Sequence, residues 1–244
     1  MTLINETISV VVPAYNEEKN LEDAVKGVLS AVKDFKDYEI LIFNDCSSDR
    51  TGEIADRLAA ANKKIRVVHN RTNMGLGYNY SKGIELARMN YFTFFPGDNE
   101  NSDVSFAKML KDIGKADILV PYTTNQNVRQ RYRRIISATF TSVMNLLFGL
   151  NLKYYNGTVA YKTDVLRKVK IITFSFAYSA EILIKLIKSG HSYREIGIEI
   201  KPTNKTSIFK PKNMINVGKT MLGLFYEVNI KNRHKYKSKI NRDL

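Results

Sequence analysis

The run ISVVVP, Ile8 to Pro13, constrains this chain more than any other stretch. It is an apolar, β-branched run of strand length with turn residues behind it, the pattern of a strand buried on both faces of a parallel sheet. Leu21, Ala24, Val25, Val28, Leu29 and Val32 then recur at helical spacing, with Asn16 as the expected N-cap and acids in the first turn. The alternation continues. YEILIFN (Tyr38 to Asn44) reads as a strand, Thr51 to Ala61 as a helix, Ile65 to His69 as a strand, and Asn73 to Gly77 as a turn into a helix ending near Arg88. The aromatic strand from Tyr91 follows, then a helix over Val104 to Ile113 and a strand over Asp117 to Pro121. Strands alternating with helices predict an α/β fold, a single mostly parallel twisted sheet with helices on both faces. Ligands of such sheets bind beyond the carboxyl ends of the strands, and Asn16, Asp45 and Asp98 would all lie on that edge.

The chain of 244 residues suffices for one large domain or two small ones, and a hydrophobic share of 44% supplies a substantial core. The lone cysteine, Cys46, excludes an internal disulfide framework and fits a reducing compartment. One cysteine and three histidines argue against a structural zinc site. The start MTLINETIS carries no signal-peptide pattern, and no stretch approaches the roughly 20 apolar residues that span a bilayer. A cytoplasmic protein, soluble or peripheral to a membrane, is expected. The net charge of +14 calls for a polyanionic partner, concentrated as it is in RQRYRR (Arg129 to Arg134) and in the tail Lys231 to Arg242.

Beyond the strand from Tyr91, the chain breaks at Pro96-Gly97 and presents Asp98 and Glu100 among Asn and Ser. Two carboxylates at this spacing suit a hard divalent cation that keeps positions open for phosphate oxygens; an ordinary solvated turn uses the same residues.

The second half changes character. Ile136, Phe140, Val143, Met144 and Leu147 form an apolar stripe on a helix entered through the arginine cluster. Both a core helix and a basic-flanked helix lying in a membrane interface fit that pattern. YYNGTVAY (Tyr154 to Tyr161) reads as a strand with a glycine at its centre. Ala177 to Lys188 reads as a helix, Tyr193 to Lys201 as a half-exposed strand, Pro202 to Lys212 as a basic loop, and a last helix is expected from Asn213.

Three patterns in order, Val12-Pro13-Ala14-Tyr15-Asn16-Glu17, Asn44-Asp45-Cys46-Ser47-Ser48-Asp49-Arg50-Thr51 and Gly97-Asp98-Asn99-Glu100, resemble the family 2 glycosyltransferases of GT-A fold, inverting enzymes that use nucleotide-diphosphate sugars. The resemblance covers about residues 6 to 210 and is nearest to the dolichol-phosphate mannosyltransferase type, which glycosylates polyprenyl phosphates. It implies a catalytic domain over 1–212, with a nucleotide-sugar half (1–121) and an acceptor half (122–212), and a C-terminal helix and basic tail over 213–244. It implies that Pro13, Ala14, Tyr15, Glu17, Asn73 and Gly97 line the nucleotide pocket and that Asp45 accepts hydrogen bonds from the base. Asp98, with Glu100, would hold a Mg²⁺ or Mn²⁺ bridging the diphosphate of a UDP- or GDP-sugar. The family's usual Asp-x-Asp is broken here, with Pro96 at its first position.

An acceptor hydroxyl needs a general base, for which Glu181 is the candidate. A polyprenyl phosphate needs none, only positive charge and hydrogen-bond donors, which Arg131, Arg134, Lys205 and Lys210, with the Ser207 hydroxyl, would supply. Three further readings stand beside these. A nucleotidyltransferase lacks its glycine-rich phosphate loop in PAYNE. A nucleic-acid binder lacks a reading module. A protein that binds sugar nucleotide without turnover fits the loss of the first Asp at Pro96.

Overall fold

The computed structural model describes residues 3–99, 102–171, 178–201, 218 and 220–236. Among these, one sheet runs in the order β3-β2-β1-β4-β6-β5-β7. Its strands are β1 (Ile4–Ala14), β2 (Phe35–Asn44), β3 (Ile65–His69), β4 (Tyr91–Phe94), β5 (Ile118–Thr123), β6 (Ala160–Lys162) and β7 (Tyr193–Ile198). All pair in parallel except β6, which runs antiparallel to β4 and β5.

Period-2 alternation splits the central strands between two cores. Val10, Val12, Ile40 and Ile42 pack against α1 (Leu21–Val32), α2 (Thr51–Ala61) and α4 (Asp103–Leu110). Val11, Leu41, Phe43, Phe92 and Phe94 face α3 (Leu76–Leu86), α5 (Arg131–Phe148), α6 (Thr163–Arg167) and α7 (Tyr178–Lys188). Leu224 and Val228 of the C-terminal segment join this second core.

Three expectations change. Asn16 does not cap α1: the helix begins after Asn20, and Asn16 sits at φ 55° in the loop before it. YYNGTVAY is strand only from Ala160; Tyr155 and Val159 are buried, and a Cβ on Gly157 would lie 2.9 Å from the Pro121 carbonyl oxygen, so the chain already runs close beside β5 before the ladder begins. The α5 stripe divides. Met144 is buried and Phe140 and Leu147 are partly so, whereas Ile136 and Val143 are exposed. The expected start of the last helix at Asn213 lies outside the described residues, and 220–231 is helical.

Candidate functional site

Register brings the carboxyl ends of β1, β2 and β3 level. Ala14 pairs with Asn44 and Asn44 with His69, and the ladder continues past the strands as Asp45 N donates to Ala14 O and Asn70 N to Asn44 O. On the other side of β1, the chain leaving β4 stays in contact: Phe95 N donates to Val11 O and Gly97 N to Pro13 O. Gly97 is needed for that approach, since a Cβ there would sit 2.8 Å from Pro13 O. Pro13, Ala14 and Tyr15 thus lie between the loop after β2 and the loop after β4, with Tyr15 50% exposed.

The loops after β1 and β2 are stapled together. Asn16 N donates to Ser47 Oγ and Ser48 N to Asn16 Oδ1, while Glu17 N donates to Thr51 Oγ1 and Glu18 N to Asp49 Oδ2. Thr51 Oγ1 in turn donates to Asp49 Oδ1 at 2.5 Å. Burial, the largest single influence, works to raise the Asp49 pKa, yet the Thr51 hydroxyl and the backbone amides of Thr51, Glu18 and Asp49 together hold it below its ordinary value. The spacing in NDCSSDRT is therefore the spacing of a clamp on the first loop. Glu17 Oε2 accepts from Asn20 Nδ2 at 2.7 Å.

Asp45 is buried, and its carboxylate holds the third loop. Oδ1 accepts from Asn70 Nδ2 at 2.7 Å and from Met74 N at 2.9 Å; Oδ2 accepts from Gly75 N at 2.8 Å. A carboxylate offers about four lone-pair sites. Three are used by these donors, which leaves one on Oδ2 among the described residues. Asn73 is exposed in the loop that Asp45 ties down. Sequence reading placed Asp45 and Asn73 in one pocket without the tether between them, because two of its donors are backbone amides that leave no residue signature.

Asp98 is half-buried at the carboxyl edge, one residue before Asn99 at φ 54°. Asn99 N donates to Pro96 O, so Pro96 starts a turn that carries Asp98. Lys201, just beyond β7, donates to Asn99 O at 3.1 Å and Asn99 Oδ1 at 3.2 Å, a tie between the Asp98 loop and the start of the basic loop that the sequence did not reveal. No cluster of three metal-ligating side chains occurs among the described residues. The donor set still fits a small divalent cation, because such ions are held by one or two carboxylates plus substrate phosphates and water. Glu100, Lys205, Ser207 and Lys210 lie outside the described residues.

Arg131 and Arg134 are exposed on the first turn of α5, past the carboxyl end of β5. Arg129 lies 5.5 Å over the Tyr154 ring and donates from Nη1 to Tyr154 Oη at 3.3 Å, while its Nε is buried with no hydrogen-bond partner. Glu181 is in the first turn of α7 but buried, and its Oε1 accepts from Lys185 Nζ at 2.7 Å. Lys185 also reaches Glu227 Oε2 at 3.0 Å and Lys170 O. Burial works against the Lys185 charge, yet these carboxylates raise its pKa above the ordinary lysine value.

A family model for glycosyl transferase family 2 matches residues 9–173. Glycosyltransferase AglD of Haloferax volcanii is 22% identical over 237 residues, covering 93% of this chain, which spans only 38% of that protein. Polyprenol monophosphomannose synthase of Mycolicibacterium smegmatis is 28% identical over 203 residues, covering 78% of this chain and 75% of that one. Glucosyl-3-phosphoglycerate synthase of Mycobacterium tuberculosis, crystallised with Mn²⁺, UDP-glucose and phosphoglyceric acid, superposes with a TM-score of 0.63 at 15% identity over 90% of this chain and 80% of that one. With a match over most of its length and this sheet, the chain belongs to glycosyl transferase family 2 and has the GT-A fold.

Proposed function

We propose that this protein transfers a sugar from a nucleotide-diphosphate donor (a UDP- or GDP-sugar) to a polyprenyl phosphate, with inversion, and that residues 1–121 bind the donor and 122–212 the acceptor. In this reading Pro13, Ala14, Tyr15, Glu17 and Asn73 surround the nucleotide. Asp45 shapes the base pocket by holding Met74 and Gly75, and its remaining lone pair faces the base. Gly97 lets the loop after β4 close against β1, and Asp98 and Glu100 present oxygens to Mg²⁺ or Mn²⁺. That ion, when bound, neutralises charge developing on the leaving diphosphate. Lys201 keeps the Asp98 loop in place through Asn99.

The observation that carries the acceptor reading is the state of Glu181. Its carboxylate is buried and spent on Lys185, which is itself bridged to Glu227. A general base must be within reach of the proton it takes, and this one is committed elsewhere. An acceptor phosphate is already an anion and needs charge instead, which Arg131 and Arg134 present beside the unsatisfied Nε of Arg129. Lys205, Ser207 and Lys210 are assigned the same role. The similarity to a polyprenol monophosphomannose synthase supports this choice, as does the Mn²⁺ in the glucosyl-3-phosphoglycerate synthase complex for the metal. The acceptor's lipid places the protein at a membrane surface, on its cytoplasmic face, directly or through a membrane partner.

The test is a transfer assay with labelled UDP- and GDP-sugars, Mn²⁺ or Mg²⁺, and a short polyprenyl phosphate. Label should enter the organic phase only with lipid phosphate, metal and intact Asp98. Nucleotide release with no lipid labelling would overturn the acceptor assignment.

A further inference from the structure

Helix α5 carries two neighbouring apolar arcs, one turned into the core and one exposed. Met144 and Phe148 are buried, and Phe140 and Leu147 pack beside them. Away from that core, Tyr132 is 50%, Ile135 59%, Val143 38% and Leu146 84% exposed, and Ile136 is exposed with them. At 3.6 residues per turn these five fall within an arc of about 100° along a helix about 27 Å long. Scattered exposed apolar residues need no explanation, but a row of them along one helix does.

The stretch of chain that carries this row has charge of one sign. From Ile118 through Thr163 there is no Asp or Glu, whereas Arg129, Arg131, Arg133 and Arg134 gather at the start of the helix. Beside the other end of α5, Phe225 packs on Phe148 and Asn229 Nδ2 donates to Leu147 O. There the C-terminal segment exposes Leu222, Tyr226 and Ile230, with Lys231, Arg233 and Lys235 just beyond. No described helix is long and apolar enough to cross a membrane.

We infer that the outer face of α5 is a docking surface for an anionic phospholipid bilayer. The helix lies in the plane of the interface, with Tyr132, Ile135, Ile136, Val143 and Leu146 among the acyl chains and the arginines at the headgroups. Apolar burial and basic charge act together in such contacts. The arrangement carries the arginines proposed to receive the acceptor phosphate at the depth where a lipid phosphate resides. A second protein surface would accept the apolar row, but it does not account for a charge of one sign over so long a stretch.

This inference deepens the lipid-acceptor reading, and its test is independent of turnover. The full chain is sedimented with vesicles of phosphatidylcholine, with and without phosphatidylglycerol, in the absence of donor and acceptor. Binding should require the anionic lipid. Leu146→Glu should weaken it roughly tenfold, and Ile135→Glu with Leu146→Glu further still. The matched control is Val104→Glu, which adds the same charge at an equally exposed residue on the opposite face of the sheet and should leave binding within about twofold. Equal weakening by Leu146→Glu and Val104→Glu would overturn the inference, as would absence of binding to anionic vesicles. So would a dimer that Leu146→Glu dissolves without any change in vesicle binding. Glycosyl transfer to lipid phosphate in detergent is scored separately, so either proposal can fail alone.

Discussion

From β1 to the turn after β4, the loops at the sheet's carboxyl edge bind one another. Asn16 is held by Ser47 and Ser48, Glu17 and Glu18 by Thr51 and Asp49, and Met74 and Gly75 by Asp45. From β5 to α5, the chain instead presents Arg131 and Arg134 to solvent, leaves Arg129 Nε unpaired and exposes an apolar row on α5. One region is a finished socket whose shape is set before a ligand arrives. The other leaves basic and apolar side chains exposed among the described residues. On the proposed reading, the difference means that the two substrates are recognised differently: the donor by preorganised polar geometry, the acceptor by charge and apolar area.

Substitutions can break or sharpen this contrast. The largest effect is expected at Asp98. Asp98→Ala should cut kcat/KM about 10³-fold, equivalent to several kcal/mol of electrostatic stabilisation, with little change in thermal unfolding. Next, Lys185→Met leaves Glu181 and Glu227 without their cation and should cost about 3–5 kcal/mol in denaturant unfolding. Partial recovery on adding Glu181→Gln would mark the pair as structural, and a neutral Lys185→Met would return Glu181 to the list of candidate bases. Gly97→Ala should cost about 1–3 kcal/mol and raise the KM for donor, because its Cβ meets Pro13 O.

Smaller again, Asp45→Asn replaces one acceptor oxygen with an NH2 donor facing the donating amides of Met74 or Gly75. It should cost about 1–2 kcal/mol and weaken nucleotide binding by calorimetry, without changing which acceptor is used. The smallest stability effect is expected at α5. Leu146→Glu, at a residue 84% exposed, should shift unfolding by no more than about 0.5 kcal/mol and act only on vesicle binding.

Much of the first region was legible because its signals are local. Runs such as ISVVVP and YEILIFN carry their own strand period, and their carboxyl ends place Asp45 and Asp98 on one edge. What was not legible depends on distant partners. Asn16 has the composition of an N-cap, yet its side chain is taken by Ser48 across two loops. The direction of β6 leaves no mark in three residues, and the aromatic spacing of YYNGTVAY imitates a longer strand. Glu181 and Lys185 stand four residues apart, so their pairing was readable, but their burial beneath Glu227 was not. The outer face of α5 was half-read: its period was clear, but which side met the core required the fold.

The central claim is that the acceptor is met as an anion, without a general base. The most direct measurement compares initial rates of transfer to a short polyprenyl phosphate and to the matching polyprenol at equal surface concentration, for the wild type and Glu181→Gln. The account predicts transfer to the phosphate alone, at similar rates in both proteins. Transfer to the polyprenol that is lost in Glu181→Gln would contradict it and assign Glu181 as the base.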